Sequence, residues 1–301
     1  MSNQLVLQNV NDDMKLVQMF LTTKARRSPS TARVYGTEIK KFMDWLNKPI
    51  PATNYNDLLN YAENISHLSI ASQARILTTI RSLMKFALKL GYITINPAEL
   101  LEIPKVNANS EQRFLTKKEL QALIEQLKKN PRNYLIASTL SLTGLRIAEL
   151  VAIRWKDFYE DAKGNIGLNV VGKGNKLRQA KIRQDLWQMI CQFRESQGYT
   201  TAIDIKDNTP LFQNRKGGRL SPQYIRRIIK KAGLEAGIKK DITPHYLRHT
   251  ACTLMILGGA SLEQAQQAMG HSSLLITQRY LHAAQQLEKA GTDYIELELS
   301  Q

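Results

Sequence analysis

The residues predict a mainly α-helical chain in two parts: an all-helical N-terminal domain, then a mixed α+β domain with a small three-stranded antiparallel sheet. Three observations lead there. Apolar residues recur at helical spacing through residues 11–93. The pattern lapses at I-P-K-V-N-A-N-S-E-Q-R, a polar stretch without an apolar stripe. Further on, three short alternating runs separated by glycine turns interrupt the helical spacing. The organisation expected is therefore residues 1–101 as the helical domain, 102–113 as a linker and 114–301 as the second domain.

In the first domain, Met14, Val17, Phe20 and Leu21 fit one amphipathic helix, and Tyr35, Ile39, Phe42, Met43 and Leu46 a second. Leu58, Leu59 and Ala62 mark a shorter third. Ser69 opens a fourth through Ile76, Ile80, Leu83, Met84 and Leu88, which Gly91 ends. Lys24, Arg26, Arg27, Arg33, Lys40, Lys41, Arg75, Arg81, Lys85 and Lys89 fall on polar faces, where some can meet phosphates.

The second domain starts at a capping box, Thr116 with Glu119, ahead of Leu120, Leu123, Ile124 and Leu127. A helix near Tyr134–Leu142 leads to S-L-T-G-L-R-I-A-E-L, where Gly144 permits a turn and Arg146 and Glu149 lie three apart. Their neighbours Leu145, Ile147, Leu150 and Val151 are apolar, which puts an ion pair at a core edge, where a charge needs a purpose. V-A-I-R-W-K-D-F-Y, I-G-L-N-V-V and R-Q-A-K-I then read as the three strands, with turns at Lys163-Gly164-Asn165 and Gly172-Lys173-Gly174-Asn175. Lys173 sits at a hairpin tip, free to reach away from the sheet. Helices Asp185–Gln197 and Pro222–Gly233 bracket a basic loop with Arg215 and Lys216. Arg226, Arg227 and Lys230 on the second of these helices are better placed to grip a backbone.

The densest chemistry lies between Thr243 and Tyr280. Thr243 and Pro244 start a helix whose apolar residues Leu247, Leu254, Met255 and Leu257 recur up to Gly258 and Gly259. His245 and Arg248 share one face of it. Ser261 and Gln264 form a second capping box for a helix that ends at Gly270, which places His271 just past a helix end and Tyr280 nine residues on. Histidines and arginines facing a phenol suggest an anion held for attack by tyrosine.

Net charge is +16, and both parts share it: 13 Lys and Arg against 8 Asp and Glu in residues 1–105, and 29 against 18 in the rest. That suits contact with a polyanion on two sides. Two cysteines, Cys191 and Cys252, both in helical patterns, argue for a reducing compartment and against a disulfide framework. No apolar run is long enough to span a bilayer and the N-terminus lacks a signal peptide's pattern, so a cytoplasmic protein without membrane contact is expected. No Asp, Glu, His or Cys cluster has metal-site spacing and no Walker-type loop is present, so neither metal nor cofactor is expected.

T-G-L-R-I-A-E-L, V-G-K-G-N-K, H-Y-L-R-H-T and G-H-S-S-L-L-I-T-Q-R-Y, in this order across residues 114–282, resemble the active-site boxes of the tyrosine recombinases, or phage integrase family. The compact size resembles Xer-type and plasmid or transposon resolvase members. Met269 departs by standing where many members have leucine.

The resemblance implies that Arg146 and Arg248 clamp a DNA phosphodiester, that Tyr280 attacks to form a 3′-phosphotyrosyl link, and that Lys173 protonates the leaving 5′-oxygen. His245 and His271 would hydrogen-bond the phosphate and manage the tyrosine proton, and Glu149 would orient the site from behind. It also implies a homotetramer on two double-stranded DNA sites, with the need for a second recombinase or accessory protein left open. The apolar C-terminal tail, including Tyr294, Ile295, Leu297 and Leu299, would dock in a neighbouring protomer. A topoisomerase of type IB, relaxing supercoils with the same nucleophile, and a non-catalytic DNA-binding module are the alternatives. Target site and outcome, whether integration, excision or resolution, are not legible.

Overall fold

The computed structural model describes residues 10–106, 114–172, 177–271, 273–278 and 280. Contacts divide the chain into two units, residues 1–108 and 109–301.

The first unit packs α1 (Val10–Arg27), α2 (Pro29–Leu46), α3 (Tyr55–Asn64) and α4 (Ile70–Lys89) around one core. Local chemistry sets the helix starts: Ser28, Asn54 and Ser69 each accept from the backbone N–H three residues on, relieving a donor that the helix leaves unpaired. Phe20, Ile39, Phe42, Leu58, Ile80, Leu83 and Met84 are buried as their spacing predicts. Met14 and Leu59, expected on core faces, are exposed, and Leu16 takes the buried position instead. Helical spacing leaves the rim of an apolar stripe undecided, and the partner helices settle it. Lys24 is drawn in rather than exposed: its ammonium lies 4.9 Å from the Phe20 ring centre and donates to Ser82 Oγ at 2.9 Å. Ile103, inside the expected linker, packs on this core.

In the second unit, α6 (Pro131–Thr143) is buried along most of its length and packs against α5 (Lys117–Leu127), α8 (Gln184–Ser196) and α10 (Pro244–Leu257). A helix covered this way is the centre of its domain. The expected capping box of Thr116 and Glu119 is formed in both directions, at 3.2 and 2.8 Å. Of the remaining helices, α9 (Pro222–Glu235) packs on α5, α10 and α7 (Ile147–Ala152), and α11 (Leu262–Met269) packs on α10. Strands β1 (Phe158–Glu160), β2 (Ile166–Val171) and β3 (Leu177–Lys181) form the antiparallel sheet in the order β1-β2-β3. Register stacks Phe158, Leu168 and Ala180 in one row on the buried face, with Val170 opposite Arg178 in the next.

Two details depart from expectation. Thr243 stands at the N-cap of α10 but makes no side-chain capping bond. Leu254, Met255 and Leu257 are only half-buried, because the packed face of α10 is Leu247, Arg248, Ala251 and Cys252. Among the described residues no helix is long and apolar enough to cross a membrane.

Candidate active site

Gly144 ends α6 in the left-handed conformation (φ +61°), and the chain reverses directly into Arg146 and α7. Arg146 occupies the N-cap of α7. Its backbone N–H donates to Glu149 Oε2 at 2.8 Å and its guanidinium to Oε1 at 2.8 Å. The Glu149 side chain is 3% exposed. Burial pushes its carboxyl pKa up, but the bonds from Arg146 and the charges of Arg178 and Arg146 outweigh that and hold it below the ordinary value. The pair expected from sequence thus joins a buried carboxylate to a partly exposed guanidinium.

Arg248, on the second turn of α10, is 3% exposed and donates to Gly144 O and, at 2.6 Å, to Met269 O. Burial, then the positive charge of Arg146, lower it to about 10, so it remains charged at neutral pH. Arg146 adds a long bond to Gly270 O at 3.4 Å, and Arg178 donates to Ala268 O at 2.8 Å. Three guanidinium groups therefore take the three consecutive carbonyls that close α11, the negative end of that helix.

Gly270 turns the chain out of α11 with φ +60°, and His271 follows. The imidazole lies nearly parallel to the Tyr280 ring, 5.9 Å between centres and 11° between planes, with Nδ1 at 3.0 Å from Thr277 Oγ1. Burial first, then the charges of Arg248 and Arg146, lower the His271 pKa to about 4, which leaves the ring neutral at physiological pH. Tyr280 is buried, 8% exposed, against Cys252 and Met269. The His249 ring lies 5.1 Å from that of Tyr280, and His245, exposed on the first turn of α10, meets His249 edge-on at 4.2 Å.

The structure thus brings Arg146, Glu149, Arg248, His271 and Tyr280 into one cluster, with His245 reaching it through His249. Lys173 and the C-terminal tail lie outside the described residues. Two neighbours were not singled out as site residues by the sequence analysis. His249 is four residues from His245 on one helix, a spacing that puts both on one face. Arg178 precedes Ala180 and Ile182 at the period of two that faces the core, and an inward arginine on a strand is the signal that marks it.

Of the basic residues offered for DNA, Arg26, Arg27, Arg33, Lys40 and Lys85 are exposed in the first unit, as are Arg215, Lys216, Arg226 and Arg227 in the second. Arg75 and Lys230 are exposed too but ion-paired, Arg75 with the buried Glu38 at 3.0 Å and Lys230 with Asp241 at 2.7 Å, and Arg81 is half-buried.

The profile of the phage integrase family matches residues 113–286, more than half of the chain. The chain belongs to that family. The profile of the phage integrase N-terminal SAM-like domain matches residues 18–91 within the first unit. Tyrosine recombinase XerC of Pelobacter propionicus is 31% identical over 298 residues, covering 92% of this chain and 93% of that protein. Tyrosine recombinase XerD of Staphylococcus epidermidis is 32% identical over 289 residues, covering 91% and 95%. Within the phage integrase family this is an Xer-like tyrosine recombinase. The fold is shared with the XerH site-specific recombinase bound to palindromic difH substrate (TM-score 0.72, 22% identity, 85% of this chain and 77% of that one). It is shared too with a lambda integrase dimer bound to a COC′ core site (TM-score 0.72, 17% identity, 95% and 80%).

Proposed function

We propose that this site-specific recombinase cleaves and rejoins double-stranded DNA by transesterification at Tyr280, as a homotetramer on two sites in the cytoplasm. The observation that carries the reading is the parallel stacking of Tyr280 on a neutral His271 inside a cluster of arginines. The Tyr280 oxygen attacks the phosphorus of a backbone diester, its bond to phosphorus forms, and the bond to the 5′-oxygen breaks. A free phenol has a pKa of about 10, so at neutral pH the attacking oxygen must shed its proton as it bonds. His271, uncharged, is able to accept a hydrogen bond there, and His245 contacts the phosphate. Lys173 gives a proton to the departing 5′-oxygen. Attack of a 5′-hydroxyl on the phosphotyrosine reverses every step and seals the strand.

Arg146 and Arg248 hold the non-bridging oxygens, where charge grows in the transition state, and guanidinium donors stabilise it without titrating. Glu149 orients Arg146. Because the phosphotyrosyl ester conserves the energy of the broken bond, the scheme needs neither metal nor nucleotide. Arg226 and Arg227 on α9 and Arg215 and Lys216 on the adjoining loop are the exposed cations for phosphates in the second unit, and Arg26, Arg27, Arg33, Lys40 and Lys85 in the first.

The test is a duplex taken from the DNA flanking the gene, nicked near the cleavage point so that the covalent intermediate accumulates, incubated in EDTA. A denaturant-resistant adduct with the wild type and none with Tyr280→Phe is expected. An adduct that persists in Tyr280→Phe refutes the nucleophile; tight binding with no adduct from either protein favours a non-catalytic DNA-binding role. Equal strand turnover on one isolated site favours topoisomerase-like relaxation over synapsis of two sites.

A further inference from the structure

We infer that Arg178, to which the cleavage scheme gives no part, is a positioning residue that aligns Arg146 and the His271 turn for attack. The inference rests on the reading of Tyr280 as nucleophile. Arg178 stands on β3, and its side chain is 12% exposed. Its two terminal nitrogens point different ways. Nη2 donates to Glu149 Oε2 at 3.0 Å, and Nη1 donates to Ala268 O at 2.8 Å. Both are committed to protein atoms.

Each bond reaches a different part of the site. Glu149 is the carboxylate that receives the Arg146 backbone and guanidinium, so Arg178, Glu149 and Arg146 form a plus–minus–plus row. With Arg178 removed, Glu149 Oε2 keeps only the Arg146 N–H, and the anion is free to pull the Arg146 guanidinium toward itself. The other bond fixes the end of α11, one residue before the carbonyl that Arg248 takes and two before the one that Arg146 takes. The stem of Arg178 also fills the space beside Gly270: a Cβ there would lie 2.6 Å from Arg178 Cδ and 2.8 Å from Nε. The turn that delivers His271 is therefore built against this one side chain. Lysine cannot substitute, because a single ammonium does not present two donors in two fixed directions.

The test compares wild type, Arg178→Met, Arg178→Lys and Tyr280→Phe on the nicked duplex. The readouts are single-turnover cleavage at saturating protein, DNA dissociation constant, thermal unfolding, and the NMR titration of the His271 ring. A misplacement of about 1 Å at the reacting groups costs about 100-fold, which is the slowing expected for Arg178→Met, with DNA affinity kept within about three-fold. Arg178→Lys recovers part of the rate, leaving a deficit of about ten-fold. The His271 titration moves upward in Arg178→Met, since a nearby cation is gone, and stays near wild type in Arg178→Lys. Wild-type cleavage in either variant overturns the inference, and so does a loss of cleavage matched by an equal loss of DNA affinity. Where Arg178→Met does not fold, Arg178→Lys decides: slow cleavage with His271 titrating normally supports the inference, and normal cleavage overturns it. A wild type that forms no adduct refutes the Tyr280 reading instead. The His271 titration then judges Arg178 alone, and an unmoved midpoint in Arg178→Met overturns its hold on the turn.

Discussion

Replacing Glu149 with alanine tests the charge row at its centre. Glu149 receives two bonds at 2.8 Å from Arg146 and one at 3.0 Å from Arg178, with its own side chain 3% exposed. At an effective dielectric of about 20, opposite charges about 4 Å apart attract by about 4 kcal/mol per pair. The Arg146 side chain is 37% exposed, so its share is screened to about 1 kcal/mol or less. The Arg178 pair keeps most of its attraction, and desolvation of the carboxylate offsets several kcal/mol of the total.

What Glu149→Ala exposes is a guanidinium left uncompensated in the interior and a helix N–H without its acceptor. Breaking a buried pair from one side costs about 3–5 kcal/mol. In a unit of this size that lowers Tm by about 10 °C. Glu149→Gln keeps one acceptor for the Arg146 N–H and should lose about 2 kcal/mol. The pH dependence carries the second half of the prediction. Because the folded carboxyl titrates below its ordinary value, its stabilisation is present above about pH 4.3 and disappears as pH falls through the folded pKa. Differential scanning calorimetry of the three proteins should therefore show melting temperatures far apart at pH 7 and converging in acid. A Glu149→Ala protein melting within about 2 °C of wild type at pH 7 would refute the reasoning, as would a gap that does not narrow in acid.

Three further outcomes are expected. The His271 ring, lowered to about 4 from an unfolded value of about 6.5, binds fewer protons folded than unfolded between those limits, so stability should fall as pH drops through that window. His271→Gln should flatten that slope in urea titrations. In the first unit, buried Asp13 accepts from the Ile50 N–H at 2.9 Å and from Tyr92 Oη at 2.6 Å, and Asp13→Ala should cost about 2–4 kcal/mol in urea unfolding, with Tyr92→Phe costing about 1 kcal/mol. Arg226→Ala with Arg227→Ala should reduce the slope of log K against log salt by about 2 in DNA-binding titrations while leaving Tm within about 2 °C, because both side chains are exposed.

Much of the fold was legible because it is written at short range. The caps at Ser69, Thr116 and Ser261, the left-handed stops at Gly91, Gly144 and Gly270, and the alternation of β2 and β3 each depend on residues within a few positions of one another. Reading Arg146, Glu149, Arg248, His271 and Tyr280 as one set also required only their order and spacing, together with the family they resemble. The rims of the apolar stripes were not legible: Met14, Leu59 and Lys24 sit where periodicity is ambiguous, and packing partners placed each of them. Nor was the state of Arg75 and Lys230, whose acidic partners Glu38 and Asp241 are distant in sequence or across a turn.

What the sequence by itself determined was therefore the inventory: which helices and strands form, where they stop, and which charged and aromatic side chains belong to the candidate site. What only the tertiary structure decided is how those charges are held. Arg178, Arg248 and Arg146 reach Ala268, Met269 and Gly270 across 90, 21 and 124 residues. Backbone carbonyls are the same in every residue type, so nothing in their letters marks them as acceptors. They become partners only when the end of α11 is packed beside Arg146, Arg178 and Arg248, and the same packing buries Glu149 and lowers the His271 pKa.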